Sequence, residues 1–158
     1  MFRGLKPLLL AGTAVALAGC SAPSDPQVTF YSHGQAVEVA PAQYCDALGE
    51  KCTPPPADPI GELRVPGRAP LQISVPSDVA EAPWQIAFIY RTTSGEEVGG
   101  KTEVFTGGDR HAYTLQLPGD GVQFEHVEVQ RFSALLSPGT EGGVDFVIGG
   151  SWIIDVNP

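Results

Sequence analysis

Three cysteines, three histidines and 18 carboxylates are the side chains here that could do chemistry. A hydrolytic serine needs a Gly-x-Ser-x-Gly elbow or a Ser-x-x-Lys pair, and the chain contains neither. Ser94 falls beside Gly95 in an expected hairpin turn and Ser151 in an expected strand. His33, His111 and His126 lie on three separate elements, so only folding could assemble a Ser–His–Asp triad. Within Glu125-His126-Val127-Glu128, a regular strand would put His126 and Glu128 on one face, at a separation that suits two metal ligands. No second paired motif accompanies them. Asp109 with Glu103, or Glu141 with Asp145, could line a loop calcium site, though the spacing is unspecific. A glycosidase needs two carboxylates across a cleft. With 18 acids, coincidental pairs are certain, so their presence decides nothing. These residues read as solvated surface. No catalytic residue, metal site or cofactor is assigned.

Cys20 stands in a different context. Arg3 and Lys6 precede an uncharged apolar run from Pro7 to Ala18, about 12 residues long. That run is too short for a spanning helix, which needs roughly 20 residues. A charged start, a short apolar run and small residues before the first cysteine make a secretory signal peptide. Leu17-Ala18-Gly19-Cys20 resembles the lipobox of bacterial lipoproteins. The resemblance implies that Cys20 receives a diacylglycerol and becomes the first residue of the mature chain. The expected organisation is a cleaved leader over residues 1–19, a lipidated tether over 20–26 and a single domain over 27–158.

Export leaves Cys45 and Cys52 as an even pair in an oxidising compartment, where a disulfide is the default. The nearby Asp46 and Glu50 are too few to complete a metal site. Nine Lys and Arg against 18 acids give the chain a charge of −9, or −11 once Arg3 and Lys6 leave. Clustered cations, which nucleic acid requires, are missing. Nor would an acidic surface be drawn to anionic headgroups.

The remaining segments must position whatever works. Val28 and Phe30 alternate with polar residues, Ser32-His33-Gly34 turns, and Val37 and Val39 alternate again, as in a hairpin. Residues 41–49, opening on Pro41 and closing on Gly49, read as one short helix pinned by Cys45–Cys52. A stiff proline-rich loop follows. Strands are then expected around Leu63 and Val65; Leu71, Ile73 and Val75; and Trp84 to Tyr90. Further strands are expected at Val104-Phe105, at Tyr113 to Leu117, from Val122 to Phe132, and from Phe146 to Val156. Trp84 and Trp152 both fall on apolar parities, as core residues do.

Two places break the period of two. Phe124 and Val127 differ in parity, which a β-bulge near Glu125-His126 would repair. Gly149-Gly150 interrupts the last strand. Gly99-Gly100, Gly107-Gly108 and Gly142-Gly143 read with it as turn and bulge glycines. Eight or nine short strands with almost no helix favour an antiparallel, immunoglobulin-like β-sandwich.

Together the lipobox, Val28-Thr29-Phe30-Tyr31, Tyr44-Cys45-Asp46 with Cys52, and Pro83-Trp84-Gln85-Ile86-Ala87-Phe88 resemble a family of small exported actinobacterial lipoproteins of unknown function. The resemblance implies location and architecture and carries over no catalytic residue. The expected role is non-enzymatic: a module anchored through Cys20 on the outer face of the plasma membrane, binding an envelope protein or polymer through its loops. An envelope hydrolase with an acidic site and a small-ligand or lipid carrier are the alternatives.

Overall fold

Alternation at the start of the domain folds as a hairpin. The computed structural model describes residues 25–138 and 144–158, so Leu17, Ala18, Gly19 and Cys20 of the lipobox, and Glu141, lie outside the described residues. Strands β1 (Val28–Ser32) and β2 (Gln35–Val39) pair antiparallel, Val28 opposite Val39. His33 and Gly34 join them at φ 48° and 81°. A two-residue turn with both φ positive matches the twist of the flanking strands, and His tolerates this region better than most residues.

β1 also pairs with β6 (Leu71–Ser74), and β6 with β9 (Ala112–Leu115), completing a sheet of order β2-β1-β6-β9. The larger sheet is built on three long strands: β7 (Trp84–Thr92), β10 (Gly121–Pro138) and β11 (Val144–Asn157). β8 (Glu97–Lys101) adds to the free side of β7. Beyond β11 come β3 (Gln43–Cys45), β4 (Cys52–Thr53) and β5 (Ile60–Arg64). β3 pairs with β11 at Gly150 and Ser151, whereas β5 pairs with it in parallel from Ile153 to Asn157. The sandwich is otherwise antiparallel.

The core-forming strands bury one apolar parity between the sheets. Val28, Phe30 and Ile73 from one sheet meet Ile86, Val127 and Ile154 from the other, all fully buried. Trp84 faces this core and packs on Phe105, ring centres 4.6 Å apart. Trp152 is equally enclosed. The bulge falls where the broken parity placed it. Phe124 sits opposite Tyr90 and His126 opposite Ile89, leaving Glu125 as the extra residue, so Phe124, Val127 and Val129 all point inward.

Several expectations are corrected. The helix over residues 41–49 does not form: Gln43–Cys45 is a strand, and a turn follows it. Two turns of helix are too short to nucleate alone, and pairing with both β11 and β4 satisfies the same backbone. Cys45 and Cys52 are opposite each other on β3 and β4 and are joined by the expected disulfide. The one helical turn among the described residues, α1, is Ser77–Ala80, with Val79 and Ala80 buried.

Val104-Phe105 is not a strand but a single bridge from Phe105 to Trp84, and Val104 is exposed. The strand is β8, hidden in the sequence by Gly99-Gly100. A Cβ on Gly100 would lie 2.6 Å from the Phe88 ring. Glycine is needed there because the ring covers the backbone of the facing strand.

Gly149 does bulge: Gly150 faces Arg131 while Ile148 faces Phe132. The extra residue reverses the parity before it. Phe146 therefore leaves the core and stands 51% exposed, its ring 5.3 Å from that of Phe132.

The disulfide closes a loop between cysteines seven positions apart. The chain-entropy estimate for a loop this short is about 2.5 kcal/mol. A double Cys45→Ser/Cys52→Ser variant is expected to lose about that much stability in urea titrations, with unchanged far-ultraviolet circular dichroism.

Candidate functional site

Two depressions of the described surface have mainly apolar walls and volumes of about 510 Å³ or more. The first lies on the outer face of the larger sheet, and register alone assembles it. Lys101, Ala87, Glu128, Ile153 and Ile60 form one row across β8, β7, β10, β11 and β5; Gly99, Ile89, His126, Asp155 and Glu62 form the next. Small residues at Ala87 and Gly99 sink the surface into a groove of about 530 Å³, walled also by Ile89, Lys101, His126 and Glu128. Its floor is apolar and its rim polar.

The rim is held by hydrogen bonds. His126 Nδ1 lies 2.9 Å from Asp155 Oδ1. Gln85 Nε2 donates to Gln130 Oε1 at 2.9 Å, and Gln130 Nε2 donates to Glu128 Oε2 at 3.0 Å. The bulge residue Glu125 accepts from Arg91 Nε at 2.8 Å, and Arg91 also pairs with Glu97 at 3.0 Å. Hydrogen bonding to Glu125 and its charge, with Glu97 adding to both, raise the Arg91 pKa.

His126 and Glu128 do share a face, as their spacing suggested, because the bulge precedes both of them. Asp155, 29 positions from His126, joins them from β11. Among the described residues no three His, Cys, Asp or Glu side chains come together as metal ligands. Neither of the two serines singled out in the sequence joins the His126–Asp155 pair. Ser151 shares the outer face of β11 with Asp155, but it lies four positions away along the strand, about 13 Å. Ser94 is held in the β7–β8 turn by Thr92, 2.8 Å away. His33 is in the first hairpin turn, and His111 immediately precedes β9. The Asp46 pKa is lowered, first by the Glu50 N–H donating to its carboxylate. A general acid requires the opposite shift.

A second groove, of about 510 Å³, opens at one end of the sandwich. Phe132, Phe146, Ala47 and Pro83 supply apolar walls, and Arg131 and Glu81 the charge. Arg131 Nε donates to the carbonyl of Asp78 at 3.0 Å, and the guanidinium lies 5.7 Å from the Tyr44 ring centre. Its Nη1 is buried without a hydrogen-bond partner. Burial raises the Tyr44 pKa and the Arg131 charge opposes that rise. The Tyr44 ring is 6.0 Å from that of Trp152, whose Nε1 donates to the carbonyl of Pro26 at 2.8 Å. The N-terminal segment therefore leaves the domain at the groove end. Nothing in the sequence singled out Arg131: its partners are far along the chain, and a lone cation on a strand carries no motif.

The sequence profile described as "Protein of unknown function (DUF2771)" matches residues 21–156. The chain belongs to the DUF2771 family. Relatives of this DUF2771 chain in Mycobacterium bovis and in two strains of Mycobacterium tuberculosis, each described as an uncharacterized protein, are 39% identical over 70 residues. The shared stretch is 44% of this chain and 42% of each relative, so it spans less than half of their length. No solved structure matches. Membership of DUF2771 confers no site residue, and function must be read from the two grooves.

Proposed function

We propose that this protein is a lipid-anchored, extracytoplasmic binding module of the cell envelope, non-enzymatic, that receives a protein or polymer partner on the outer face of its larger sheet. The observation that carries this reading is the first groove. It has an apolar floor on rigid strands and a rim of fixed hydrogen-bonding groups, and neither Ser94 nor Ser151 reaches its His126–Asp155 pair. Binding sites take this form, apolar with a few placed polar groups. The sequence pointed to end loops as the binding surface, whereas the groove lies on a sheet face. The anchor reading rests on Leu17-Ala18-Gly19-Cys20 and the apolar run ahead of it. Two acyl chains hold a protein stably where one is marginal. Among the described residues no helix is long and apolar enough to cross a membrane.

Two measurements test the two halves. A Cys20→Ala chain is expected to leave the detergent phase in phase partitioning, and retention there would refute the anchor. For the groove, cross-linked capture from isolated envelopes by the wild-type chain is compared with Ile89→Asp. A partner seated on the apolar floor is expected to fall about tenfold in yield, as loss of a central contact entails. Gln72→Ala, on the exposed face of the other sheet, should leave capture unchanged. Equal capture by Ile89→Asp and wild type would dispose of the groove as the binding surface.

A further inference from the structure

We infer that the end of the sandwich from which the N-terminal segment leaves is a phospholipid docking surface, with the Arg131 guanidinium seating a lipid phosphate from the groove side and Phe146 and Leu48 entering the headgroup layer. The inference rests on the proposed Cys20 anchor and adds to it an orientation, a lipid contact and the residues that make it.

The first support is where the chain emerges. Pro26 is held by Trp152, Trp152 stacks near Tyr44, and Arg131 lies over Tyr44 and lines the second groove. These contacts are continuous, so the exit of the chain and the groove share one end of the domain. Four residues lie between Cys20 and Asp25, and the five steps fully extended reach at most about 18 Å. An acylated Cys20 therefore holds this end, and not the end carrying the His33-Gly34 turn, against the leaflet.

The second support is chemical. Arg131 lines the groove with its donors only partly used: Nε is held by the Asp78 carbonyl, while Nη1, closed to solvent, has no hydrogen-bond partner, so a phosphate would meet the guanidinium from the groove side. A guanidinium matches a phosphate in charge and in donor geometry. Beside it the walls are apolar, and two large apolar side chains at this end are exposed: Phe146 by 51% and Leu48 by 53%. An anionic group beside hydrocarbon is the chemistry of a phospholipid at the membrane surface, where aromatic side chains settle.

Charge limits which lipids are needed. Glu81 lines the same groove, Asp78 is adjacent, and the mature chain carries an excess of acids. General attraction to an anionic surface is therefore absent. The contact uses one phosphate and apolar burial, so zwitterionic lipid suffices and added salt has little effect.

The test uses the full mature lipoprotein in phosphatidylcholine vesicles, with a tryptophan reporter at either Phe146→Trp or Ile89→Trp. The native Trp84 and Trp152 are buried and supply a common background. With lipids spin-labelled near the headgroup, the reporter at position 146 is expected to lose about twofold in emission, and that at position 89 almost nothing. Adding Arg131→Gln should abolish the difference, and Arg131→Lys, which keeps the charge, should restore part of it. Circular dichroism establishes that each variant is folded. Mass spectrometry of the N-terminus and vesicle flotation read the anchor separately, so an unacylated chain that does not float counts against the anchor alone. A floating lipoprotein with equal quenching at both positions overturns the docking surface, and quenching that ignores Arg131 overturns the phosphate seat. A reporter shielded in native envelope membranes but not in lipid vesicles assigns this end to a protein partner and also overturns the inference.

Discussion

A chain lacking Glu125 is expected to fold, whereas a chain lacking Glu128 is not. Both deletions remove one exterior glutamate from the same strand, so composition and charge change equally. Glu125 is the extra residue of the bulge, with Phe124 opposite Tyr90 and His126 opposite Ile89. Its removal makes Phe124 and His126 consecutive opposite consecutive partners and leaves Phe124, Val127 and Val129 inward. The loss is the Arg91–Glu125 pair, partly exposed and worth up to about 1 kcal/mol, and Arg91 keeps Glu97. Deleting Glu128 makes Val127 and Val129 neighbours, which must then face opposite ways. Either Phe124 and Val127, or Val129 with the strand beyond it, turn out of the core. Each buried side chain so exposed forfeits about 1.5–3 kcal/mol, against a total stability of roughly 5–15 kcal/mol. Urea titration followed by tryptophan emission should show a cooperative transition for the first variant and none for the second.

Trp152→Ala is expected to destabilise the domain by about 3–5 kcal/mol, the usual cost of emptying a buried tryptophan site. Trp152 is 0% exposed and joins three parts of the molecule. Its ring covers Gly150, where a Cβ would lie only 3.0 Å away, and it packs near Tyr44 of β3. Its indole N–H holds the carbonyl of Pro26. Trp152→Phe keeps most of the packing and removes that hydrogen bond, so it should cost less, about 1–3 kcal/mol. Thermal unfolding of both variants separates the two contributions. Equal losses would mean that the ring contributes little to the core.

Strand content and facing could be read from alternation because a half-buried strand has a period of two, visible within five or six residues. Val28 to Val39, Leu71 to Ser74 and Trp84 to Tyr90 all satisfied it. The bulge at Glu125 was legible for the same reason, since an extra residue leaves a parity error behind. β8 was not. Its two glycines have no side chains to carry a pattern, and the reason for Gly100 is a ring on another strand. β3 was misread because Pro41 and Gly49 are honest helix signals, overridden by pairing with a strand about a hundred residues away.

Half of the first groove was in view from its sequence motif. His126 and Glu128 are two residues apart, and local geometry puts them together. Asp155 was invisible beside them, as was Arg131 in the second groove, whose carbonyl partner belongs to Asp78.

Residue order alone determined the all-β class, the burial of Trp84 and Trp152, the pairing of Cys45 with Cys52, and the bulge. Each depends on local periodicity or on a count of two thiols. Tertiary structure decided what meets what: β5 parallel to β11, His126 against Asp155, Phe146 expelled from the core, and Arg131 beside the exit of the chain. Those outcomes depend on register between distant strands. Register is chosen by whole-sheet packing, and no short window of sequence contains it.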